Sequence, residues 1–142
     1  MTEISKINER KKLRYSINPI AFVIALLLAP LLVTLLSFWT IIGLFAIYFG
    51  LLPYLIVGTP ILIWAVGRIK PTFGAYACLG LFGNVAMGIA GFLIMAPQIG
   101  HEDAITSVLF LAGFGFIFAP LYAGAFGSLY AAFHPKIRIL QT

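Results

Sequence analysis

The stretch YFGLLPYLIVGTPILIW, from Tyr48 to Trp64, places two prolines and two glycines among residues that are otherwise uncharged and mostly apolar. It belongs to a long run without Asp, Glu, Lys, Arg or His. There are three such runs, at residues 15–67, 71–100 and 104–133. A membrane-spanning helix needs about 20 apolar residues. The first run therefore has room for two crossings and each of the others for one, which predicts an all-α protein with four transmembrane helices.

The composition of the whole chain agrees with this interpretation. Of its 142 residues, 62% are hydrophobic and only 9% are charged, and the mean hydropathy is +1.08. This leaves too few polar side chains to cover the surface of a soluble domain. We therefore expect a basic tail over residues 1–17, a transmembrane domain over residues 18–133 and a second basic tail over residues 134–142. The helices, arranged as two hairpins, are predicted near 18–38, 40–66, 71–95 and 104–133.

The predicted helix ends depend on a few capping residues and prolines. Asn18 followed by Pro19 is typical of a helix start, and Pro71 indicates the start of the third helix. Asp103 is predicted to cap the fourth helix and Pro135 to end it. Short loops are then expected at residues 37–40, 67–70 and 97–103.

The distribution of positive charge predicts the orientation. All nine lysines and arginines lie in the two tails or in the turn between the second and third helices: Lys6, Arg10, Lys11, Lys12, Arg14, Arg68, Lys70, Lys136 and Arg138. With four crossings, these three segments share one side of the membrane. Positively charged segments stay in the cytoplasm, so we predict an integral inner-membrane protein with both termini cytoplasmic. The N-terminal cluster also indicates a contact with anionic lipids, through Arg10, Lys11, Lys12 and Arg14.

Side chains that carry catalysis or bind cofactors are scarce in the sequence. Cys78 is the only cysteine, and its position within the third helix favours a packing role over thiol chemistry. The adjacent His101, Glu102 and Asp103 cannot readily converge on one cation, and a polar loop tip explains them more simply. We therefore predict no enzymatic activity, no cofactor, no metal site and no nucleic-acid partner.

Small residues indicate where the helices pack. In the fourth helix they recur every four residues, at Gly115, Ala119, Ala123, Gly127 and Ala131. Lipid gives no hydrophobic reward for helix association, so close approach of backbones has to supply it, and such a ridge permits that approach. The third helix offers a matching surface at Gly80, Asn84 and Gly88, although a contact with another chain stays open. The Asn84 amide is expected to bond to a hydroxyl or a backbone carbonyl or, alternatively, to face a ligand.

The prolines of the second helix predict a kinked helix with polar groups along it. Pro53 and Pro60 lack the N–H groups that would pair with carbonyls of the preceding turn, so each is expected to free one carbonyl. Tyrosine hydroxyls, among them those of Tyr76, Tyr122 and Tyr130, are candidates to pair with these carbonyls. The candidate residues for a polar lining or a hinge are Tyr48, Pro53, Tyr54, Thr59, Pro60, Asn84 and Pro120.

Two functions stay open from the sequence, in which we recognise no family motif. The first is a non-enzymatic accessory, assembly or immunity-type subunit that packs against another membrane protein. The second is a small channel or transporter for an uncharged or small solute, as a monomer or a homodimer. The second function requires that the candidate lining residues face one cavity.

Overall fold

The computed structural model describes residues 17–37, 45 and 50–138, with the backbone alone for residues 135–138. These residues form four helices and no strand, which confirms the all-α prediction for this part of the chain. We number them α1 (Pro19–Ser37), α2 (Gly50–Val66), α3 (Phe73–Ile99) and α4 (His101–Arg138). α1, α3 and most of α4 are long and apolar enough to cross a membrane, whereas α2 is a shorter apolar helix. The first part of the predicted second helix, and the loop before it, lie outside the described residues.

The start of α1 agrees with the predicted cap. The Oδ1 atom of Asn18 accepts hydrogen bonds from the backbone N–H groups of Ile20 and Ala21, at 3.1 and 3.2 Å. A cap of this kind satisfies donors that have no partner within the first turn. Further along α1, the hydroxyl of Thr34 donates to the carbonyl of Pro30 at 2.8 Å. This polar side chain is therefore satisfied within its own helix.

α2 contains one π-helical turn, at Tyr54–Gly58, between its two prolines. The N–H of Thr59 donates to the carbonyl of Tyr54, which lies five residues earlier rather than four. Such a turn inserts one extra residue without ending the helix. The sequence predicts kinks at Pro53 and Pro60, and this π-helical turn lies between the two prolines.

The predicted start of α3 at Pro71 is wrong by two residues. The helix begins at Phe73 and is capped by Thr72, whose hydroxyl accepts a hydrogen bond from the N–H of Ala75 at 3.4 Å. The hydroxyl satisfies an N–H that would otherwise have no partner. This side-chain acceptor determines the start of the helix more strongly than the proline before it.

The predicted loop at residues 97–103 is wrong. α3 continues to Ile99 and α4 begins at His101, so Gly100 alone reverses the chain. Gly100 has a φ of 90°, a left-handed conformation that glycine adopts without a steric penalty. Pro97 lies in the last turn of α3, where its missing N–H removes only one helical hydrogen bond. A single glycine therefore replaces the polar loop.

Gly100, not Asp103, is the residue from which α4 starts. The N–H of Gly100 donates to the carbonyl of Ala96, and its carbonyl accepts from the N–H of Ala104, both at 3.1 Å. The same residue thus ends one helix and begins the next. Asp103 lies inside the first turn of α4, where its negative charge is favourable near the positive end of the helix dipole.

The prediction that Pro135 ends α4 is also wrong, because the helix continues to Arg138. A proline within a helix removes the hydrogen bond to the carbonyl four residues earlier, here that of Ala131. The loss of this one bond does not end the helix. The same holds for Pro30 within α1.

α3 and α4 form an antiparallel hairpin with extensive contacts, and α1 packs on α4. The N–H of Asn18, at the start of α1, donates to the hydroxyl of Tyr130 near the end of α4 at 3.1 Å. The carbonyl of Thr72, just before α3, lies against Gly127 of α4. The starts of α1 and α3 and the end of α4 therefore share one end of the bundle. We call it the basic end, after the charged residues of the turn that leads into α3, Arg68 and Lys70.

The core of the bundle is largely aromatic, and its surface is apolar. The largest fully buried side chains are Tyr76, Tyr122, Tyr130, Phe126, Leu62 and Val66. On the outside, large apolar side chains are strongly exposed on every helix, with Leu36 at 79% and Phe82 at 74%. A surface of this kind suits lipid rather than water. The structure thus supports a location in the membrane.

Candidate functional site

The facing small residues of α3 and α4 bring these two helices into backbone contact. A Cβ atom added to Gly80 would lie 2.8 Å from the carbonyl carbon of Ala119 and 2.9 Å from the Cβ of Ala123. Two turns along α3, a Cβ added to Gly88 would lie 3.8 Å from the Cβ of Ala112. The structure therefore places the predicted small-residue surface of α3 against α4 of the same chain.

Towards the basic end, glycines of α4 accommodate rings of α3. A Cβ added to Gly127 would lie 2.9 Å from the Cγ of Tyr76, and one added to Gly124 would lie 2.7 Å from the ring of Phe73. Gly124 was not among the predicted packing residues, because it lies outside the four-residue repeat. Ala131, which ends the predicted ridge, is partly buried.

Asn84 is the polar residue of the α3–α4 interface. Its Nδ2 donates to the carbonyl of Ala112 at 3.1 Å, and its Oδ1 lies directly against Gly115, where any Cβ would overlap it. The side chain is only 6% exposed. A backbone carbonyl is one of the partners that the sequence predicts for this amide. Asn84 thus joins the two helices, and it also borders a cavity.

This cavity has a volume of about 90 Å³ and lies between α2, α3 and α4. α2 contributes residues of its π-helical turn, and the other two helices contribute the interface around Gly80. Most of the lining is apolar and includes Ile61, Met87, Leu111, Phe114 and Phe118. Its polar side chains are Tyr54, Asn84 and Tyr122, and no charged residue is part of the described lining.

The hydroxyls of Tyr54 and Tyr122 are buried without a hydrogen-bond partner among residues 17–37, 45 and 50–134. The two rings meet edge to face, with centroids 5.5 Å apart and an interplanar angle of 71°. Gly58 and Gly50 make room for them, since added Cβ atoms would lie 3.2 Å from the Tyr54 ring and 3.4 Å from the Tyr122 ring. Thr34 is a neighbour of the Tyr122 hydroxyl. Its own hydrogen is directed to the carbonyl of Pro30, so it could only accept from Tyr122, and the two hydroxyls do not meet hydrogen-bond geometry.

The structure brings three of the seven candidate lining residues together at the cavity, namely Pro53, Tyr54 and Asn84. The others do not line it or lie outside the described residues. Thr59 and Pro120 are partly buried elsewhere and Pro60 is exposed, whereas Tyr48 lies outside the described residues.

Tyr122 is the lining residue whose role the sequence reasoning misjudged. The sequence offers Tyr122 and Tyr76 as candidates to pair with carbonyls freed by prolines, but neither hydroxyl has such a partner in the described part of the chain. The Tyr130 hydroxyl accepts a hydrogen bond from a backbone N–H instead. The signal for Tyr122 was its position three residues after Ala119, which puts it beside the small-residue ridge of α4.

Few other residues in the described part of the chain could bind a metal ion or take part in catalysis. No three His, Cys, Asp or Glu side chains among them come close enough to hold a metal ion. Cys78 is exposed on α3, so the predicted packing role is not fulfilled among the described residues. The ring of His101 packs against that of Phe92, with centroids 6.1 Å apart.

No protein-family model, no curated protein and no solved structure matches this chain. The cavity, the exposed surfaces and the charge distribution are therefore the basis for assigning a function.

Proposed function

We propose that this protein is a small non-enzymatic membrane channel or transporter whose cavity binds a small uncharged solute. One observation carries the proposal: Tyr54 and Tyr122 line the cavity, and their hydroxyls are buried and unpaired within the described residues. An unpaired buried hydroxyl costs about 1–3 kcal/mol, and the surrounding hydrocarbon offers no water to satisfy it. A solute in the cavity that hydrogen-bonds to both hydroxyls, after a small turn of the two rings, removes this cost while it is bound.

The cavity indicates the chemical class of the solute. The described lining carries no charge, and a charged molecule is costly to bring into a membrane, so we expect a neutral solute. An apolar protein cavity of about 150 Å³ can hold benzene, which has six heavy atoms. By proportion, a cavity of about 90 Å³ accommodates a molecule of roughly four heavy atoms. Urea and ethylene glycol have this size, and each can hydrogen-bond to two hydroxyls.

Uptake of these two probes into proteoliposomes tests the proposal. The wild-type protein should accelerate the uptake of urea or ethylene glycol relative to protein-free liposomes. Tyr54→Phe and Tyr122→Phe, which remove only a hydroxyl, should each lower the rate. Thr59→Val is the matched control, since it removes a hydroxyl of α2 that does not line the cavity, and it should leave the rate unchanged. Uptake no faster than in protein-free liposomes for both probes would refute the proposal.

A second candidate function is that of an accessory, assembly or immunity-type subunit. The small-residue ridge of α4 is occupied by α3 of the same chain, so a partner needs another surface. The outer face of α3 offers one, because small exposed residues follow a four-residue spacing that only Phe82 interrupts. Such a spacing permits the close approach of a helix from another membrane protein. The small residues of this face are Gly74, Cys78, Ala86 and Ala90.

Cys78 makes the second candidate testable in intact membranes. It is the only cysteine of the chain and is exposed, so a benzophenone maleimide attached to it should, on illumination, crosslink it to a membrane protein packed on α3. Ala86→Leu should abolish the product by preventing close approach. Gly113→Leu on α4, where nothing lies within 4 Å of an added Cβ, should leave it unchanged. A chain that gives no crosslink and always runs as a monomer after mild extraction would contradict this candidate.

We further propose that α2, with the residues before it, is the fourth crossing, kinked at Pro53 and Pro60, and that both termini are cytoplasmic. Support comes from the shared basic end, because positively charged segments stay in the cytoplasm. Arg68 fits a position at the membrane surface: its guanidinium lies 5.1 Å from the centroid of the Trp64 ring and donates to the Trp64 carbonyl at 3.1 Å. A C-terminal green fluorescent protein should be fluorescent and a C-terminal alkaline phosphatase inactive. The reverse result would place both termini on the opposite side of the membrane and contradict the proposed topology.

Contact of the N-terminal tail with anionic lipid is likewise a proposal, since the four basic residues predicted to make it lie outside the described residues. Each lysine or arginine near an anionic surface contributes about 1 kcal/mol. Replacing all four with Gln should therefore weaken binding of a tail peptide to phosphatidylglycerol vesicles but not to phosphatidylcholine vesicles. The residues concerned are Arg10, Lys11, Lys12 and Arg14.

A further inference from the structure

A third buried hydroxyl lies outside the cavity. Tyr76 on α3 has no exposed surface, and its hydroxyl has no hydrogen-bond partner in the part of the chain that the structure describes. Tyr76 does not line the cavity, whereas Gly80, about one turn further along α3, does. A hydroxyl at membrane depth needs a polar neighbour. The Tyr76 hydroxyl therefore requires a water molecule or a solute as its hydrogen-bond partner.

Tyr76 lies between the cavity and the basic end of the bundle. Its ring packs against Gly127, which follows the cavity residue Tyr122 on α4 towards the basic end. Polar groups continue in the same direction with Tyr130, whose hydroxyl accepts from the N–H of Asn18 at 3.1 Å. Tyr122 and Tyr130 are about 12 Å apart along the helix axis. Hydroxyls thus occur at intervals from the cavity to the basic end.

One apolar ring lies between these polar positions. Phe126 comes four residues after Tyr122 and four before Tyr130, on the same face of α4. It has no exposed surface. Its ring centroid lies 5.1 Å from that of Phe22, 5.8 Å from that of Tyr76 and 5.9 Å from that of Tyr130. Rings from α1, α3 and α4 therefore surround Phe126.

We infer that Tyr76 marks a second polar position on a path from the basic end to the cavity, and that Phe126 is the hydrophobic barrier on this path. The inference rests on the proposed function as a channel or transporter. Hydrophobic constrictions gate pores by excluding water. While the ring of Phe126 stays packed, the cavity is closed to the basic end. When the ring moves, Tyr76 offers a hydrogen bond to the molecule that passes.

Thiol labelling at the cavity tests the barrier. Ala119→Cys in a Cys78→Ser background places a single thiol in the cavity lining, and methanethiosulfonate ethylammonium is added from the basic end in vesicles of known orientation. Phe126→Ala should raise the labelling rate about tenfold, because it opens the apolar layer. Phe126→Leu should give a smaller rise and reports on the barrier even if the alanine variant does not fold. Leu129→Ala, at a partly buried residue of the same region, should leave the rate unchanged.

Two results would overturn the barrier. One is labelling of both Phe126 variants that is no faster than that of Leu129→Ala, and the other is an equally large rise from the opposite side. The double variant Tyr76→Phe/Phe126→Leu should be labelled severalfold more slowly than Phe126→Leu alone. Equal rates for these two variants would show that Tyr76 does not lie on the path. Labelling does not require that the wild-type protein transports a solute. Faster labelling of the Phe126 variants without uptake of urea or ethylene glycol by the wild type would therefore count against the proposed function and leave the path in place.

Discussion

The contact of Gly80 with α4 provides a direct test of the fold. An alanine at this position would press its Cβ against the carbonyl oxygen of Ala119, at 2.8 Å from the carbonyl carbon and 2.9 Å from the Cβ of Ala123. Carbon atoms in favourable contact are about 3.5–4.0 Å apart, so α3 and α4 have to separate. A backbone carbonyl held in a helix cannot turn away as a flexible side chain can.

The size of the effect follows from comparison with Gly74 in the same helix. Overpacking costs about 1–3 kcal/mol, while alanine gains about 1 kcal/mol over glycine in helix propensity. Gly74→Ala has no packing cost, because nothing lies within 4 Å of its added Cβ, and its gain is no larger because Gly74 is the second residue of α3. The difference between the two variants therefore gives a lower limit for the packing cost. We expect Gly80→Ala to be less stable than Gly74→Ala by about 1–3 kcal/mol.

Titration with SDS in mixed micelles, followed by circular dichroism, measures the free energy of unfolding of both variants. Gly80→Ala should unfold at a lower SDS fraction than Gly74→Ala, and separation of the helices should also weaken the hydrogen bond of Asn84. Gly74→Ala should unfold at the same SDS fraction as the wild type or at a higher one. Equal midpoints for the two variants would show that α3 and α4 do not touch at Gly80, and the packing argument would then be wrong.

Three further substitutions can be measured in the same titration. Asn84→Ala removes an interhelical hydrogen bond and should lower the free energy of unfolding by about 0.6–2 kcal/mol; no change would mean that the bond contributes nothing. Asn18→Ala removes the cap of α1 and should cost about 1 kcal/mol, most of which Asn18→Asp should restore because it keeps the acceptor. Gly124→Ala meets the Phe73 ring, which is 49% exposed and can turn aside. Its cost should stay below about 1 kcal/mol, and a cost equal to that of Gly80→Ala would contradict this.

The helix ends show how far reasoning along the sequence reaches. The cap at Asn18 was predictable because a side-chain acceptor and its N–H partners lie within three residues of each other. The turn between α3 and α4 was not. The polar residues 101–103 suggest a loop, but Gly100 reverses the chain by itself because it adopts a positive φ. The sequence places Gly100 inside the predicted loop, but nothing in it shows that this glycine makes the turn alone.

The cavity shows which residues of the site could be predicted from the sequence and which could not. Tyr54 and Asn84 are recognisable in the sequence as polar groups at membrane depth, and both line the cavity. Thr59, as a polar group, and Pro60, as a kink, were candidates for the same site, but neither lines the cavity. The π-helical turn shifts the residues that follow it relative to a regular helix. Which face of α2 meets the cavity therefore could not be read from regular helical spacing.

The sequence by itself determined that this is a helical protein with three long uncharged runs, with positive charge at the tails and in one turn. These properties depend on composition along the chain, because each backbone group in a helix pairs within its own segment. Only the tertiary structure decided which small residues face each other, where Asn84 bonds, and that Tyr54, Tyr76 and Tyr122 are buried without partners in the described chain. Those outcomes depend on how closely helices from distant parts of the chain approach, and the shapes of all the facing side chains together set that distance.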